Sequence, residues 1–179
     1  MIRRLLPIAL LGLLLLSGCV PPPPRSSPTR TAPEMGCFAP KLEGADLEGH
    51  KYKLSDYRGK VVVIDFWATW CGPCRRMIPQ EKELVARMQG RPFVFLSVSV
   101  DESREALAKF LDNDPHPWPD IHDQDRMLSL EWRVDVFPTF FFIDADGVIR
   151  LRVQGGETDF FEKRLEPLMH ELEGRRPGE

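Results

Sequence analysis

The run Val61-Val62-Val63-Ile64-Asp65-Phe66-Trp67 ends four residues before Cys71-Gly72-Pro73-Cys74, and a helical pattern follows. No other feature constrains the chain as strongly. A nearly continuous apolar run of this kind reads as a central buried strand. Two cysteines separated by two residues can close a small disulfide and reopen it. At a strand-to-helix junction the first cysteine meets the free N–H groups of the helix start. Those groups and the helix dipole favour a thiolate, so the thiol pKa falls and the sulfur becomes a usable nucleophile.

Two blander readings of the motif are weaker. A Cys-x-x-Cys can be half of a zinc site, but tetrahedral zinc takes four ligands, usually with a second pair. The chain has no second Cys-x-x-Cys and no His-x-x-x-His. A purely structural disulfide across two residues closes a tiny loop and removes little chain entropy. A redox dithiol beside a strand-helix-strand pattern is the better reading.

The rest of the domain alternates strands and helices. Lys51 to Leu54 is a short strand candidate, followed by a turn over Ser55 to Lys60. Arg75 to Gln89 carries Met77, Ile78, Leu84, Val85 and Met88 at helical spacing; Gly90 stops it, and Pro79 should kink it. Phe93 to Val100 is the next buried strand, and Ser103 to Leu111 a second helix. Asp112 to Asp125 is polar and proline-rich and reads as a loop with a short strand near Ile121. Arg126 to Arg133 is a short helix and Thr139 to Ile143 a strand. Asp144-Ala145-Asp146-Gly147 has hairpin-turn chemistry, with Val148 to Val153 as the partner strand. Thr158 to Glu173 closes the domain as a helix with Phe160, Phe161, Leu165, Leu168 and Leu172 on one side. This order predicts an α/β sandwich with a mixed sheet.

The N-terminus indicates where the chemistry takes place. Met1-Ile2-Arg3-Arg4 is basic, and Leu5 to Leu16 is almost wholly apolar. That run is short for a membrane-spanning helix but suits the core of an export signal. It ends at Leu16-Ser17-Gly18-Cys19, which resembles the lipobox of bacterial lipoproteins. There the chain is cut before the cysteine and the cysteine carries lipid, so Cys19 is the expected lipidation site. A plain secretory signal or an uncleaved anchor would also place the domain outside the cytoplasm. Residues 19–36 are rich in proline and read as an extended spacer without secondary structure. The expected organisation is a signal peptide at 1–18, a linker at 19–36, one domain at 37–173 and a tail at 174–179.

Without Arg3 and Arg4, the only charged residues of the first 18, the net charge of −3 becomes −5. Nothing in that balance supports a nucleic-acid partner. With Cys19 lipidated, three thiols remain, and Cys37 is left outside the Cys71–Cys74 pair. Cys37 reads as a small apolar core residue or as an additional resolving thiol.

Asp65-Phe66-Trp67-Ala68-Thr69-Trp70-Cys71-Gly72-Pro73-Cys74 resembles the active-site strand and motif of the thioredoxin superfamily. With Gly59-Lys60-Val61-Val62-Val63 before it and the lipobox, the chain is most similar to the TlpA-like group of membrane-tethered thiol–disulfide oxidoreductases. The likeness spans about Phe38 to Leu172 and implies a thioredoxin fold. The stretch from Cys74 to Pro138 is longer than in plain thioredoxins and corresponds to the TlpA-like central insertion.

The resemblance implies roles for particular residues. Cys71 matches the attacking cysteine and Cys74 the resolving one. Asp65 matches the buried acid behind the disulfide, which could take the proton from Cys74. Trp70 matches the aromatic residue that shields the pair, and Gly72 and Pro73 form the dipeptide found in reducing thioredoxins. Pro79 matches the helix-kinking proline. Phe137-Pro138-Thr139 resembles the loop with a cis proline that faces the cysteines and meets substrate backbone. No cofactor is implied beyond the redox-active disulfide, and no metal. The implied partners are protein thiols and disulfides and a membrane electron donor, with the protein itself a monomer. One position departs from the group: many TlpA-like sequences carry an acid three residues after the second cysteine, and here that residue is Met77.

Two rival functions share some of these features. A thiol peroxidase would use Cys71 as its peroxidatic cysteine, with Thr69 nearby, but the second thiol suits disulfide exchange better. A Cu(I)-binding delivery module could use Cys71 and Cys74, with His116, His122, Asp114, Asp120 and Asp123 in the proline-rich loop. That loop reads more simply as solvated, with incidental histidines. Trp118 and Trp132 read as packing residues, and His50 and His170 as surface residues.

Overall fold

The structure is a computed structural model that describes residues 31–155 and 160–174. The export signal, Cys19 and residues 175–179 of the expected tail lie outside the described residues. Strands β1 (Glu43–Ala45) and β2 (Lys51–Lys53) form an antiparallel pair, followed by a 3₁₀ turn over Leu54–Tyr57. The main sheet holds β3 (Val61–Trp67), β4 (Phe93–Ser99), β5 (Asp120–His122), β6 (Thr139–Ile143) and β7 (Ile149–Gln154). Its order is β5-β4-β3-β6-β7. β3 and β4 run parallel, as do β4 and β5, whereas β6 lies antiparallel to both β3 and β7. Helices α1 (Gly72–Arg87), α2 (Arg104–Asn113), α3 (Met127–Glu131) and α4 (Phe160–Glu173) complete the fold.

β3 is the central strand, and all seven of its residues are buried. Both of its faces are covered, which explains its continuous rather than alternating apolar pattern. Val61 and Val63 meet Met77 and Leu84 of α1 and Phe161 and Leu165 of α4 in one cluster. Val62, Ile64 and Phe66 point the other way, into a cluster with Leu42, Trp132, Phe141 and Ile149. The Trp132 ring sits 5.8 Å from Phe66 and 4.8 Å from Phe141, centroid to centroid. Helices on both faces of a mixed sheet are the sandwich that the element order predicts. The Asp144 turn is closed by Gly147 N–H donating to Asp144 O at 2.9 Å, and Gly147 takes the left-handed φ of 81° that favours glycine.

Three local features differ from the sequence-based expectation. β1 was not expected, because Glu-Gly-Ala carries no strand signal; it forms by pairing with β2 and packing against β5. The end of the proline-rich stretch is not a free spacer: Ala32 and Pro33 are buried and Gly36 N–H donates to Ile149 O at 2.8 Å. The polar loop before α3 is not merely solvated, since Trp118, Asp120 and Asp123 are buried. The Asp123 carboxylate accepts from the N–H groups of Leu128 and Ser129 at 2.9 and 2.8 Å and so caps α3.

Candidate active site

β3 delivers the chain to the motif through a short turn, in which Cys71 N–H donates to Ala68 O at 3.0 Å. α1 then starts directly at the motif. Cys71 is the N-cap residue, with extended backbone, and Pro73 sits in the first turn, where a missing N–H costs least. Cys71 and Cys74 are joined as a disulfide, with Cα atoms 5.3 Å apart. Cys74 N–H donates to Cys71 Sγ at 3.2 Å, so the first sulfur takes up one of the orphan donors of the helix start. This is the electrostatic setting that favours a Cys71 thiolate once the bond is reduced. Both cysteines are buried, Cys71 at 5% exposure and Cys74 at 1%, so Cys71 is the less deeply buried residue of the pair.

The other residues singled out from the sequence collect around this bond. Trp70 is 61% exposed, and its ring meets Phe137 edge-on at 5.9 Å. Phe137 packs against the cluster that contains both cysteines. The Phe137–Pro138 bond is cis, and Pro138 is buried. Gly72 and Pro73 are exposed at the head of α1. Cys37 is free and half-buried; its carbonyl accepts from Ile149 N–H at 2.9 Å, in the N-terminal packing rather than in the cluster that holds the redox pair.

Asp65 is buried on β3 and shares the α1-facing side with Val61, Val63 and Trp67. It is not the only acid there. Asp65 pairs in register with Ser97 on β4, and Ser97 with Asp120 on β5, so three polar side chains form a row across the sheet. Glu81 of α1 is 1% exposed, two turns beyond Cys74 and one turn beyond Met77. Burial pushes the Asp65 carboxyl well above the ordinary carboxylate range, and the nearby Asp120 adds to this. Burial likewise pushes Glu81 well up, with further contributions from Asp65 and Asp120. Asp65 Oδ1 and Glu81 Oε1 have no hydrogen-bond partner. Burial disfavours the charged form of both acids on the side of the sheet that faces α1, so either takes up a proton readily once ionised.

Asp120, by contrast, is held by donors. Trp67 Nε1–H donates to its Oδ1 at 3.0 Å, the Ser97 hydroxyl donates to the same oxygen, and His116 Nδ1 lies 2.8 Å from Oδ2. Trp118 Nε1–H in turn donates to Ser97 Oγ at 2.9 Å. His116 therefore belongs to an interior polar network rather than to a solvated loop. His122 is turned elsewhere, with Nε2 2.7 Å from the Asp101 carbonyl oxygen.

Glu81 and Asp101 were not singled out as site residues from the sequence, and Asp120 only as part of a Cu(I)-binding alternative. Glu81 was legible in principle: Cys74, Met77, Ile78, Glu81 and Leu84 form one buried helical stripe, and an acid on such a stripe is conspicuous. Asp101 follows β4 and fixes the turn before the motif, a long-range contact with no local signal.

A disulfide at the head of a helix, a central strand ending on it, a facing cis-proline loop and buried acids behind it define a thiol–disulfide oxidoreductase on the thioredoxin fold. The comparisons with known proteins agree. The AhpC/TSA family matches residues 35–152. The thiol-disulfide oxidoreductase ResA of Geobacillus kaustophilus is 34% identical over 140 residues, covering 78% of this chain and 80% of that protein. Its counterpart in Geobacillus thermodenitrificans is 35% identical over 129 residues, covering 72% of this chain and 74% of that one. Among solved structures, a thiol:disulfide interchange protein DsbE from Chlorobium tepidum superposes with a TM-score of 0.72 at 29% identity, covering 76% of this chain and 98% of that one. The exposed lipoprotein thioredoxin Etrx1 of Streptococcus pneumoniae superposes with a TM-score of 0.64 at 27% identity, covering 72% of this chain and all of that one. The chain belongs to the AhpC/TSA family and, within it, to the TlpA-like members of the thioredoxin superfamily.

Proposed function

We propose that this protein is a lipid-anchored, extracytoplasmic reductase of disulfides in exported proteins. The observation that carries the reading is the Cys71–Cys74 bond, set at the start of α1 with Cys71 as its N-cap residue and the less buried of the two. In the reduced protein the Cys71 thiolate attacks one sulfur of a partner disulfide, and the partner's other sulfur leaves as a thiolate and takes a proton. A mixed disulfide now joins Cys71 to the partner. Cys74 gives its proton to the Asp65 carboxylate and attacks Cys71 Sγ. The partner's second sulfur leaves and is protonated, and Cys71–Cys74 is oxidised. Two electrons and two protons have passed to the partner. An external dithiol must reduce the pair again, and a membrane electron donor would fill that role. Trp70, Gly72, Pro73, Phe137 and Pro138 form the face that the partner meets.

The anchoring rests on Leu16-Ser17-Gly18-Cys19 after a basic and apolar leader, with residues 1–18 removed and Cys19 lipidated. The likeness to an exposed lipoprotein thioredoxin supports the same placement. Substrate classes in keeping with the group are apocytochrome thiols, copper-site assembly proteins and misoxidised exported proteins.

The direction of electron flow is tested by equilibrating the soluble domain against a glutathione series. A potential near the thioredoxin end, about −270 mV, supports a reductase, and one near about −120 mV reverses the direction. A Cys71→Ser variant that still reduced a test disulfide at the wild-type rate would remove the assignment altogether. Anchoring is read from membrane fractionation, with Cys19→Ala expected to release the protein.

A further inference from the structure

We propose that the groove between the head of α1 and α2 is a docking site for an acidic polypeptide segment flanking the target disulfide. The inference rests on the reductase reading and adds to it the chemistry of the preferred partner. The groove encloses about 890 Å³ and opens directly beside the redox pair, since Thr69 and Gly72 form part of its wall. Arg75 and Arg76 line it from α1 and Lys109 from α2. All three are exposed, and none makes an ion pair with a described residue. The one acid in the lining, Asp114, is already engaged by Lys82.

The placement of these charges is specific. Arg76 Nη1 lies 3.6 Å from where a Cβ on Gly72 would sit, so its charge hangs over the dipeptide between the two cysteines. The Arg75 guanidinium stands 5.7 Å from the centre of the Phe110 ring, which gives the groove an apolar floor with a cationic edge. The mature chain is net negative, so this positive groove runs against the sign of the molecule as a whole. At physiological ionic strength the screening length is about 8 Å, so a segment lying in the groove senses the charges that line it more than those on the far side of the molecule. An occupant here is continuous with whatever touches Cys71, which favours a stretch of the same polypeptide as the reacting disulfide. The Trp70–Phe137 rim is free to meet the apolar part of that partner.

The test compares two peptide disulfides of identical core, one flanked by Glu and Asp and one by Lys, at about 0.15 M salt. Both meet the same Cys71 sulfur, so the ratio of their kcat/KM values cancels any effect on thiol reactivity. The wild-type protein is expected to favour the acidic peptide by about tenfold, a size suited to a few exposed charge pairs. In the doubly reversed variant Arg76→Glu with Lys109→Glu, that preference should vanish or invert. Cysteine-free versions of the two peptides, titrated against the oxidised protein, should show the same order of affinity independently of turnover. Equal ratios in the wild type, or a preference that survives in the double variant, overturn the proposal. So does binding of phosphatidylglycerol vesicles that is lost in the double variant while peptide discrimination is absent, because the groove would then serve a lipid surface. Reduction of the uncharged hydroxyethyl disulfide by the wild type checks the reductase reading separately. Its failure, with peptide affinity intact, would count against that reading and not against the groove.

Discussion

The Thr69 hydroxyl and the Thr69 backbone N–H both donate to the Asp101 carboxylate, at 2.6 and 2.9 Å. Ser99 Oγ–H adds a third donor at 2.8 Å. A buried acid at the end of β4 thus pins the turn that carries the chain from β3 to Cys71. An Asp101→Ala variant leaves these donors without their acceptor, at a cost of about 1–3 kcal/mol in stability. The freed turn should also misplace Cys71 and slow disulfide exchange by about tenfold or more. Asp101→Asn keeps one oxygen acceptor and should lie between the two. Denaturant melts and single-turnover rates check this. A wild-type rate in the alanine variant would show that the turn needs no such anchor.

Asp65 links activity and stability with opposite signs. Its folded pKa is raised above the unfolded value of about 3.9, by burial first and then by Asp120. The folded state therefore holds that proton more tightly than the unfolded chain. The resulting stabilisation is fully present below the unfolded pKa and is lost as pH rises through the folded one. Asp65→Asn removes this loss. The oxidised variant should melt higher than wild type at pH 8, by about 2–4 °C for each kcal/mol regained, with little difference at pH 4. Release of the mixed disulfide by Cys74 should nevertheless slow, because its proton acceptor is gone. A variant that lost stability and rate together at every pH would leave Asp65 only a packing role.

The two raised acids, Asp65 and Glu81, influence each other, since Asp65 contributes to the upward shift of Glu81 and charge repulsion is mutual. Glu81→Gln keeps the shape and deletes the charge. Asp65 should then ionise more readily, and the pH midpoint of the Cys74 step should move down. A merely structural Glu81 would change stability and leave the midpoint where it is. Stopped-flow rates from pH 5 to 9 with a slow-releasing mixed disulfide distinguish the two outcomes.

The legible parts of this protein were those whose signal is local. Val61–Trp67 and Thr139–Ile143 form strands over the ranges their apolar runs predict, because both are buried whatever surrounds them. The fold class followed from the order of such runs. Glu43–Ala45 had no such signal and is a strand only because β2 and β5 lie beside it. The stretch around His116 and Asp120 looked solvated from its composition, yet both side chains are about 95% or more buried. Their partners, Trp67 and Ser97, come from β3 and β4, more than twenty residues away, and the local sequence carries no trace of them. The same limit applies to Asp101, whereas the buried stripe on α1 already marked the place of Glu81.

Gly44 tests how tightly β1 is built onto the sheet. A Cβ at this position would sit 2.3 Å from Ile121 Cγ2 and 3.5 Å from Leu128 Cδ1. Ile121 is fully buried in the face of the core that does not contain the cysteines, so it cannot swing out of the way. Gly44→Ala should therefore destabilise the protein by about 1–3 kcal/mol through overpacking. The redox potential should stay at the wild-type value, because the disturbance is on the opposite face from the disulfide. Removing the obstructing branch with Ile121→Ala should make the second substitution milder, giving a favourable coupling in the double-mutant cycle. Strictly additive losses would mean that β1 shifts away from the sheet instead of straining against it.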